Sequence, residues 1–458
     1  MRRSQSEGYT VLEDRFTELD GIYCSLGQSL SYYEILKSLG REIYAPALRA
    51  LRDVVYTPAI RLEFRREYAF TTSLLRYGSS ARIIEDSADL FTQLHSGPEE
   101  LSFGPIRLEF MTNVGGSTFR FPVNFDDSGR LPGRINVIIG YNGAGKTRLL
   151  ANLAMVAFSD LTSRKTIGFR DRYGFLTVGA EDRFGSVVNV SYSAFDTFEV
   201  PGVTAEERAF MESSGKSVGY VYCGLRKFGL DGSSAERLDQ LKSLAEIREE
   251  FFNTVALLRT QERSRMYRRA LQPLAEEPSF QRLGITIEAL TSGNVVDIFD
   301  SLSSGHKIVL NIVAQLSAYL QPHSLVLLDE PECHLHPPLL AALLKSLNVL
   351  LEDGSSFAII ATHSPVVLQE TPKRYVRILR RFGDETFVDE PETETFGENV
   401  GTLTRQVFNL DSIKTDFHHW LRELSETMTL DQISQLFPEG MSGQARAYLV
   451  TLARGRTD

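Results

Sequence analysis

The sequence predicts an α/β fold, a mixed sheet with flanking helices, with a helical domain before it and a helical tail after it. Three observations carry that prediction. An apolar strand, INVIIG at 135–140, runs directly into a glycine-rich loop and then into the helical stretch RLLANLAMVAF. Two more apolar strands, SLVLLDE and SFAIIATHS, flank the helical PPLLAALLKSLNVLLED, the strand–helix–strand pattern of a parallel sheet buried on both faces. Ahead of these, IRLEFMTNV and STFRFPVNF alternate apolar and polar residues on either side of Gly115-Gly116, which reads as a β-hairpin.

In chain order, residues 1–100 form a mainly helical N-terminal domain. From about 30 to 95, YYEILKSLG and REIYAPALRALRDVVYTPAIRLEF place apolar residues three and four apart, with Pro46 and Pro58 marking breaks or helix starts. Arginines gather there, but Asp53, Glu63 and Glu67 are interleaved, as on a solvated helix face. Residues 101–400 form the central α/β domain, with short strands in YGFLTV, SVVNVSYSAF and GYVYCGL. A helical insertion at about 230–280 carries its apolar residues on one face. At roughly 60 Å if unbroken, it is far shorter than a long coiled-coil arm. Residues 401–458 read as a helical tail.

With 458 residues, 42% hydrophobic and 24% charged, the chain has material for two or three folding units. A net charge of −10 argues against a surface that is a nucleic-acid footprint throughout. Cys24, Cys223 and Cys333 form no Cys-x-x-Cys pair, which fits a reducing compartment. No apolar run resembles a signal peptide or a membrane span, so a soluble, cytoplasmic protein with no membrane partner is expected.

Four motifs carry the chemistry. Gly140-Tyr141-Asn142-Gly143-Ala144-Gly145-Lys146-Thr147 fits G-x-x-x-x-G-K-[ST] between a strand and a helix. In such a phosphate-binding loop the glycines let backbone N–H groups face phosphate oxygens, Lys146 reaches the β- and γ-phosphates, and Thr147 offers its hydroxyl to Mg²⁺. ATP and Mg²⁺ are therefore the expected cofactors. Asp329 and Glu330 end an apolar strand: Asp329 is the metal-side carboxylate, and Glu330 the candidate base that polarises the attacking water. Leu302-Ser303-Ser304-Gly305-His306 opens a helix whose small-residue N-terminus can cradle a phosphate, although Ser303 as an ordinary helix cap is the plain alternative. His363 ends the last buried strand.

In order and spacing these motifs resemble those of an ABC-type ATPase of the SMC/OLD branch, with a P-loop NTPase head of ABC/SMC type. The resemblance implies that Ser303, Ser304 and Gly305 act as the signature loop on ATP held by an opposite protomer, and that His363 is the switch histidine. It implies a homodimer closed around two ATPs. The string Asp329-Glu330-Pro331-Glu332-Cys333-His334-Leu335-His336-Pro337 is similar to the DEPExxLHP of OLD-family and RecF-like ATPases, and unlike the transporter D-loop. Its Cys-His-x-His makes a poor zinc site, since adjacent ligands share one short loop.

Two departures stand out. No glutamine lies between Thr147 and Gln240, so the usual Q-loop ligand is missing; Ser193 and Asp196 are the polar candidates for its place, and slow hydrolysis is expected if neither reaches the metal. About 90 residues follow His363, too few for the Toprim nuclease of full-length OLD enzymes. The layout resembles the ATPase subunits of Septu-like and retron-associated anti-phage systems, which implies a separate effector such as an HNH-type nuclease, and in retron forms a reverse transcriptase with its nucleic acid. The alternatives are a RecF/SMC-like DNA-binding ATPase of repair or recombination, a nucleotide sensor with little turnover, and, last, a transporter motor.

Overall fold

In the computed structural model, residues 12, 15–27, 30–64, 67, 70, 84, 106–126, 131–159, 164, 166–177, 184, 186–193, 198, 216–217, 220–226, 241–258, 261–291, 295–320, 323–406 and 417–454 are described. The chain divides into two compact units, Met1–Gly397 and Glu398–Asp458.

The first unit begins with α1 (Leu30–Ser38), α2 (Arg41–Ala50) and α3 (Pro58–Phe64). Tyr33, Tyr44, Leu48, Val54, Tyr56 and Phe64 share one apolar core there. Asp53 is buried inside it and accepts hydrogen bonds from Val55 N, Tyr56 N and the Tyr33 hydroxyl at 2.9, 3.0 and 2.8 Å. Pro58 starts α3, but Pro46 lies within α2 rather than at a break. The carbonyl that loses its helical donor to Pro46 belongs to exposed Glu42, where water can serve it.

The hairpin forms as read: β1 (Ile106–Thr112) pairs antiparallel with β2 (Phe119–Phe125). It does not join the main sheet. With β4 (Phe175–Leu176) it makes a separate three-stranded sheet of order β2-β1-β4. The main sheet has eight strands: β3 (Ile135–Gly140), β5 (Val187–Ser191), β6 (Lys216–Ser217), β7 (Tyr220–Gly224), β8 (Leu325–Asp329), β9 (Phe357–Thr362), β10 (Val376–Phe382) and β11 (Glu385–Asp389). Their order is β11-β10-β3-β9-β8-β5-β7-β6, parallel from β10 to β7 with an antiparallel strand at each edge. The expected mixed sheet is thus present, and every residue of β3, β5, β8 and β9 is buried.

Helix α4 (Lys146–Phe158) lies between the two sheets. Its Leu149, Leu150, Leu153 and Val156 meet Phe110 and Phe121 of the small sheet and Leu325, Leu327 and Ile359 of the large one in a single core. A short helix, α5 (Ile167–Tyr173), follows, capped by Thr166. The helical insertion is broken into α6 (Leu244–Leu257) and α7 (Gln261–Ala275), and α6 opens on a capping box of Ser243 and Glu246. Then come α8 (Pro278–Arg282), α9 (Ile287–Thr291) and α10 (Val295–Ser301).

Helix α11 (Ser304–Tyr319) packs against β5 and β7 on one side and α6 and α7 on the other, so nearly all its residues from Gly305 to Ala318 are buried. Helix α12 (Pro337–Asp353) packs beside it against α7, and α13 (Pro365–Gln369) follows β9. The second unit holds α14 (Val400–Gln406), α15 (Phe417–Thr427), α16 (Leu430–Gln435) and α17 (Gly443–Arg454), with Leu421, Ile433, Ala445 and Leu449 as its core.

Candidate nucleotide-binding site

Sheet order builds the site. β9 lies between β3, which leads into the glycine loop, and β8, which ends on Asp329, so the carboxyl ends of three central strands open side by side. Parallel sheets place ligands at these carboxyl ends. Gly143 and Gly145 adopt φ of 81° and 95°, left-handed values that glycine takes without strain. A Cβ on Gly145 would also lie 2.6 Å from Val114, so the β1–β2 turn packs directly against the loop. Gly145 caps α4 without a side chain, leaving that helix's first N–H groups facing the loop.

Lys146 is buried, and its ammonium bonds to the Gly140 and Tyr141 carbonyls at 3.2 and 3.5 Å and to His363 Nε2 at 2.5 Å. Burial pulls it below the ordinary lysine range, and the carboxylates of Glu330, Asp329 and Glu332 pull the other way. The Thr147 hydroxyl donates to Asp329 Oδ2 at 2.8 Å, bringing the two expected metal-side groups together. Glu330 sits in the left-handed region at φ 47°, a conformation that costs a non-glycine residue about 1–3 kcal/mol. That bend turns its Oε1 to 3.4 Å from His363 Nε2. His363, and then the Lys146 charge, hold the Glu330 carboxyl below its usual range against the effect of burial.

Glu332, which the motif reading did not single out, accepts the His363 backbone N–H at 2.5 Å through Oε1. Its Oε2 is buried without a hydrogen-bond partner among the described residues. Cys333 is half-buried beside these acids, and burial with the Glu330 and Glu332 charges pushes its thiol up to about 11, so it stays protonated. A second unforeseen group is Arg381 on β10, which bonds the Val114 and Gly115 carbonyls at 3.1 and 2.6 Å. With Gly383 it forms one wall of a cleft of about 250 Å³ whose other wall is Tyr141, Asn142, Gly143 and Ala144.

Of the two candidates for the missing glutamine, Asp196 lies outside the described residues and Ser193 is half-buried beyond the end of β5. Ser191 is the residue aligned with Asp329 across the β5–β8 pair. Its hydroxyl is buried and has no hydrogen-bond partner among the described residues. Ser303 caps α11: its hydroxyl accepts from His306 N at 3.4 Å and meets His306 Nδ1 at 2.6 Å, so its partners lie in its own helix turn. Ser304 begins that helix, and Gly305 is wedged where a Cβ would be 2.8 Å from the His334 carbonyl. The plain cap reading of Ser303 is therefore part of the geometry.

A glycine loop, an Asp-Glu strand end and a histidine strand end now sit on adjacent strands, with the signature-like loop opening the helix before β8. The fold is that of a P-loop NTPase head of ABC/SMC type. A family model described as "AAA domain, putative AbiEii toxin, Type IV TA system" matches residues 227–369, a stretch holding the signature-like loop, Asp329-Glu330 and His363 but not the glycine loop. Protein ea59 of Escherichia phage lambda is 29% identical over 445 residues, covering 92% of this chain and 81% of that protein. The similarity therefore extends beyond the head. Among solved structures, an SMC head bound to the C-terminal winged-helix domain of ScpA is 14% identical (TM-score 0.32, 63% of this chain and 97% of that one). The SMC head domain from Thermotoga maritima is 12% identical (TM-score 0.31, 64% and 100%). At these scores the fold assignment rests on the strand order and the motifs.

The residues present fit a nucleotide triphosphate with a divalent cation. A buried ammonium, two left-handed glycines and a free helix N-terminus suit polyphosphate, and a hydroxyl–carboxylate pair of hard oxygens suits Mg²⁺. Among the described residues, no helix is long and apolar enough to cross a membrane.

Proposed function

We propose that this chain is an ATP-hydrolysing switch subunit. Two heads pair around two ATP molecules, each signature loop completes the other's site, and the nucleotide state sets whether a separate effector, a nuclease in an anti-phage complex, is held or released. The observation that carries this reading is the convergence of Lys146, Glu330 and His363 within hydrogen-bonding distance at the end of the sheet, with Thr147 and Asp329 already paired beside them.

In this reading Gly140, Asn142, Gly143, Ala144 and Gly145 shape the loop around phosphate oxygens, and Lys146 leaves His363 to bind them. Thr147 and Asp329 would hold Mg²⁺, which when bound screens phosphate charge. Glu330 orients the attacking water. A carboxyl kept below its usual range is a weak proton acceptor, so positioning is its larger contribution. Glu332 fixes the His363 backbone, and His363 reaches the γ-phosphate from β9. Ser303, Ser304 and Gly305 serve the partner head, since Ser303 bonds within its own helix turn rather than to the glycine loop.

The defence setting is supported by the similarity to a family of AbiEii-type toxins of type IV TA systems and to a protein of Escherichia phage lambda. Light scattering of wild type and Glu330→Gln, with and without ATP and Mg²⁺ and with neighbouring gene products co-expressed, tests it. ATP-driven dimers, most persistent in Glu330→Gln, together with a co-purifying nuclease are expected. A monomer at all nucleotide concentrations that binds DNA instead would replace this reading with the DNA-repair one.

A further inference from the structure

The first turn of α11 is wired to a buried acid that precedes it in the chain, Glu277. Glu277 caps α8, accepting from Ser279 N at 2.8 Å and Phe280 N at 3.2 Å, and it also takes the hydrogen of the Ser279 hydroxyl. Ser279 Oγ lies 2.7 Å from His306 Nε2, and His306 Nδ1 lies 2.6 Å from Ser303 Oγ. The His306 ring is gripped edge-on by Phe280, with centroids 4.6 Å apart.

Hydrogen counting gives the chain a direction. A hydroxyl has one hydrogen, and that of Ser279 is committed to Glu277, so Ser279 must accept from Nε2–H. In the neutral ring Nδ1 then carries the lone pair, and Ser303 must donate its own hydrogen inward to Nδ1. A serine held this way presents lone pairs outward, the wrong face for a phosphate oxygen.

We propose that Glu277, Ser279 and His306 form a relay that sets the direction of the Ser303 hydroxyl, which turns from the ring toward the partner head's nucleotide when His306 takes up a proton from solvent. In the protonated ring Nδ1–H donates to Ser303 Oγ, and the serine hydrogen is released to a phosphate oxygen. His306 is thus a positioning residue, and ATP-driven pairing consumes up to one proton per head. This rests on the paired-head reading above.

The surroundings are consistent with a ring that is neutral until an anion arrives. Burial holds His306 below the ordinary histidine range; Glu277 at the α8 cap raises it, and His336 at the α12 cap lowers it. On α11 itself, Lys307 is turned to the Asp300 carbonyl at 3.1 Å.

The test uses full-length Glu330→Gln and two readouts. Nitrogen NMR of the His306 ring in the nucleotide-free protein should show the Nε2–H tautomer at neutral pH; the Nδ1–H tautomer overturns the relay whatever the heads do. The ATP-Mg²⁺ dimerisation constant should fall as pH rises between about 6 and 8, by up to about tenfold per pH unit for each proton taken up. That slope should flatten in His306→Asn, whose amide donates without protonation, and in Ser279→Ala, and should return in Ser279→Thr. A merely structural role would weaken pairing equally at every pH, so an unchanged slope in both variants overturns the proposal. If Glu330→Gln does not pair at any pH, the paired-head reading fails and the role of Ser303 fails with it, while the tautomer still reports on the relay.

Discussion

Each group in the nucleotide site has a distinct signature on substitution. Lys146→Ala removes a buried charge-assisted contact worth about 1.5–3 kcal/mol, so ATP binding measured by calorimetry should weaken roughly ten- to hundredfold. Glu332 touches no substrate group in the proposed arrangement; it holds the His363 backbone. Glu332→Ala should therefore lower kcat by about ten- to hundredfold while ATP affinity barely moves, and Glu332→Gln, which keeps an acceptor oxygen, should recover most of the loss. Ser191 faces Asp329 across one strand pair with its hydroxyl unengaged among the described residues. If it supports the metal side in place of the missing glutamine, Ser191→Ala should raise the Mg²⁺ concentration needed for tight ATP binding by roughly tenfold. No rise would return the role to the segment after β5. None of these assignments for Glu332 or Ser191 was legible in the motif string, because both depend on which strands lie side by side.

Among the elements, what could be read in sequence was local. The helix of PPLLAALLKSLNVLLED runs from Pro337 to Asp353 as its spacing requires, and INVIIG is β3 from end to end. A buried strand announces itself by an apolar run, and a helix with a broad buried face by its apolar spacing. Non-local facts were hidden: that β9 lies between β3 and β8, that the hairpin leaves the main sheet, and that residues 277 and 306 meet. The N-terminal core offers a test at this scale. Burial raises the Asp53 pKa, against the hydrogen bonds from Tyr56, Tyr33 and Val55 that favour its charge. A carboxyl raised in the fold contributes stability that is present below its unfolded value and lost as pH rises through the folded value. The stability difference between wild type and Asp53→Asn, followed by denaturant unfolding, should therefore shift in favour of wild type on acidification. Asp53→Ala, which strands the Tyr33 hydroxyl and two buried N–H groups, should cost about 2–4 kcal/mol at neutral pH.

For the whole molecule, charge separates the two leading readings. A chain of net charge −10 that pairs with its own copy brings like charges together, and each bound ATP adds more. On the arginine-rich helix α7, Arg269 is paired with Asp353 and Arg268 lies 3.6 Å from Glu288, so part of its positive charge is already offset. Added salt screens repulsion between heads over about 8–10 Å, so ATP-driven dimerisation should strengthen, or at least hold, as ionic strength rises from about 20 to 150 mM. Duplex DNA held through phosphate contacts must behave in the opposite way, its affinity falling steeply with salt as condensed counterions are no longer released at a gain. Sedimentation of Glu330→Gln across that salt series, with ATP and Mg²⁺ and with or without duplex DNA, reads both signs in one experiment. Dimers that persist at 150 mM beside DNA binding that is weak throughout the series fit a switch that acts through a protein partner. Tight binding at low salt that collapses by 150 mM, with no dimer of the protein alone, fits a DNA-clamping head instead.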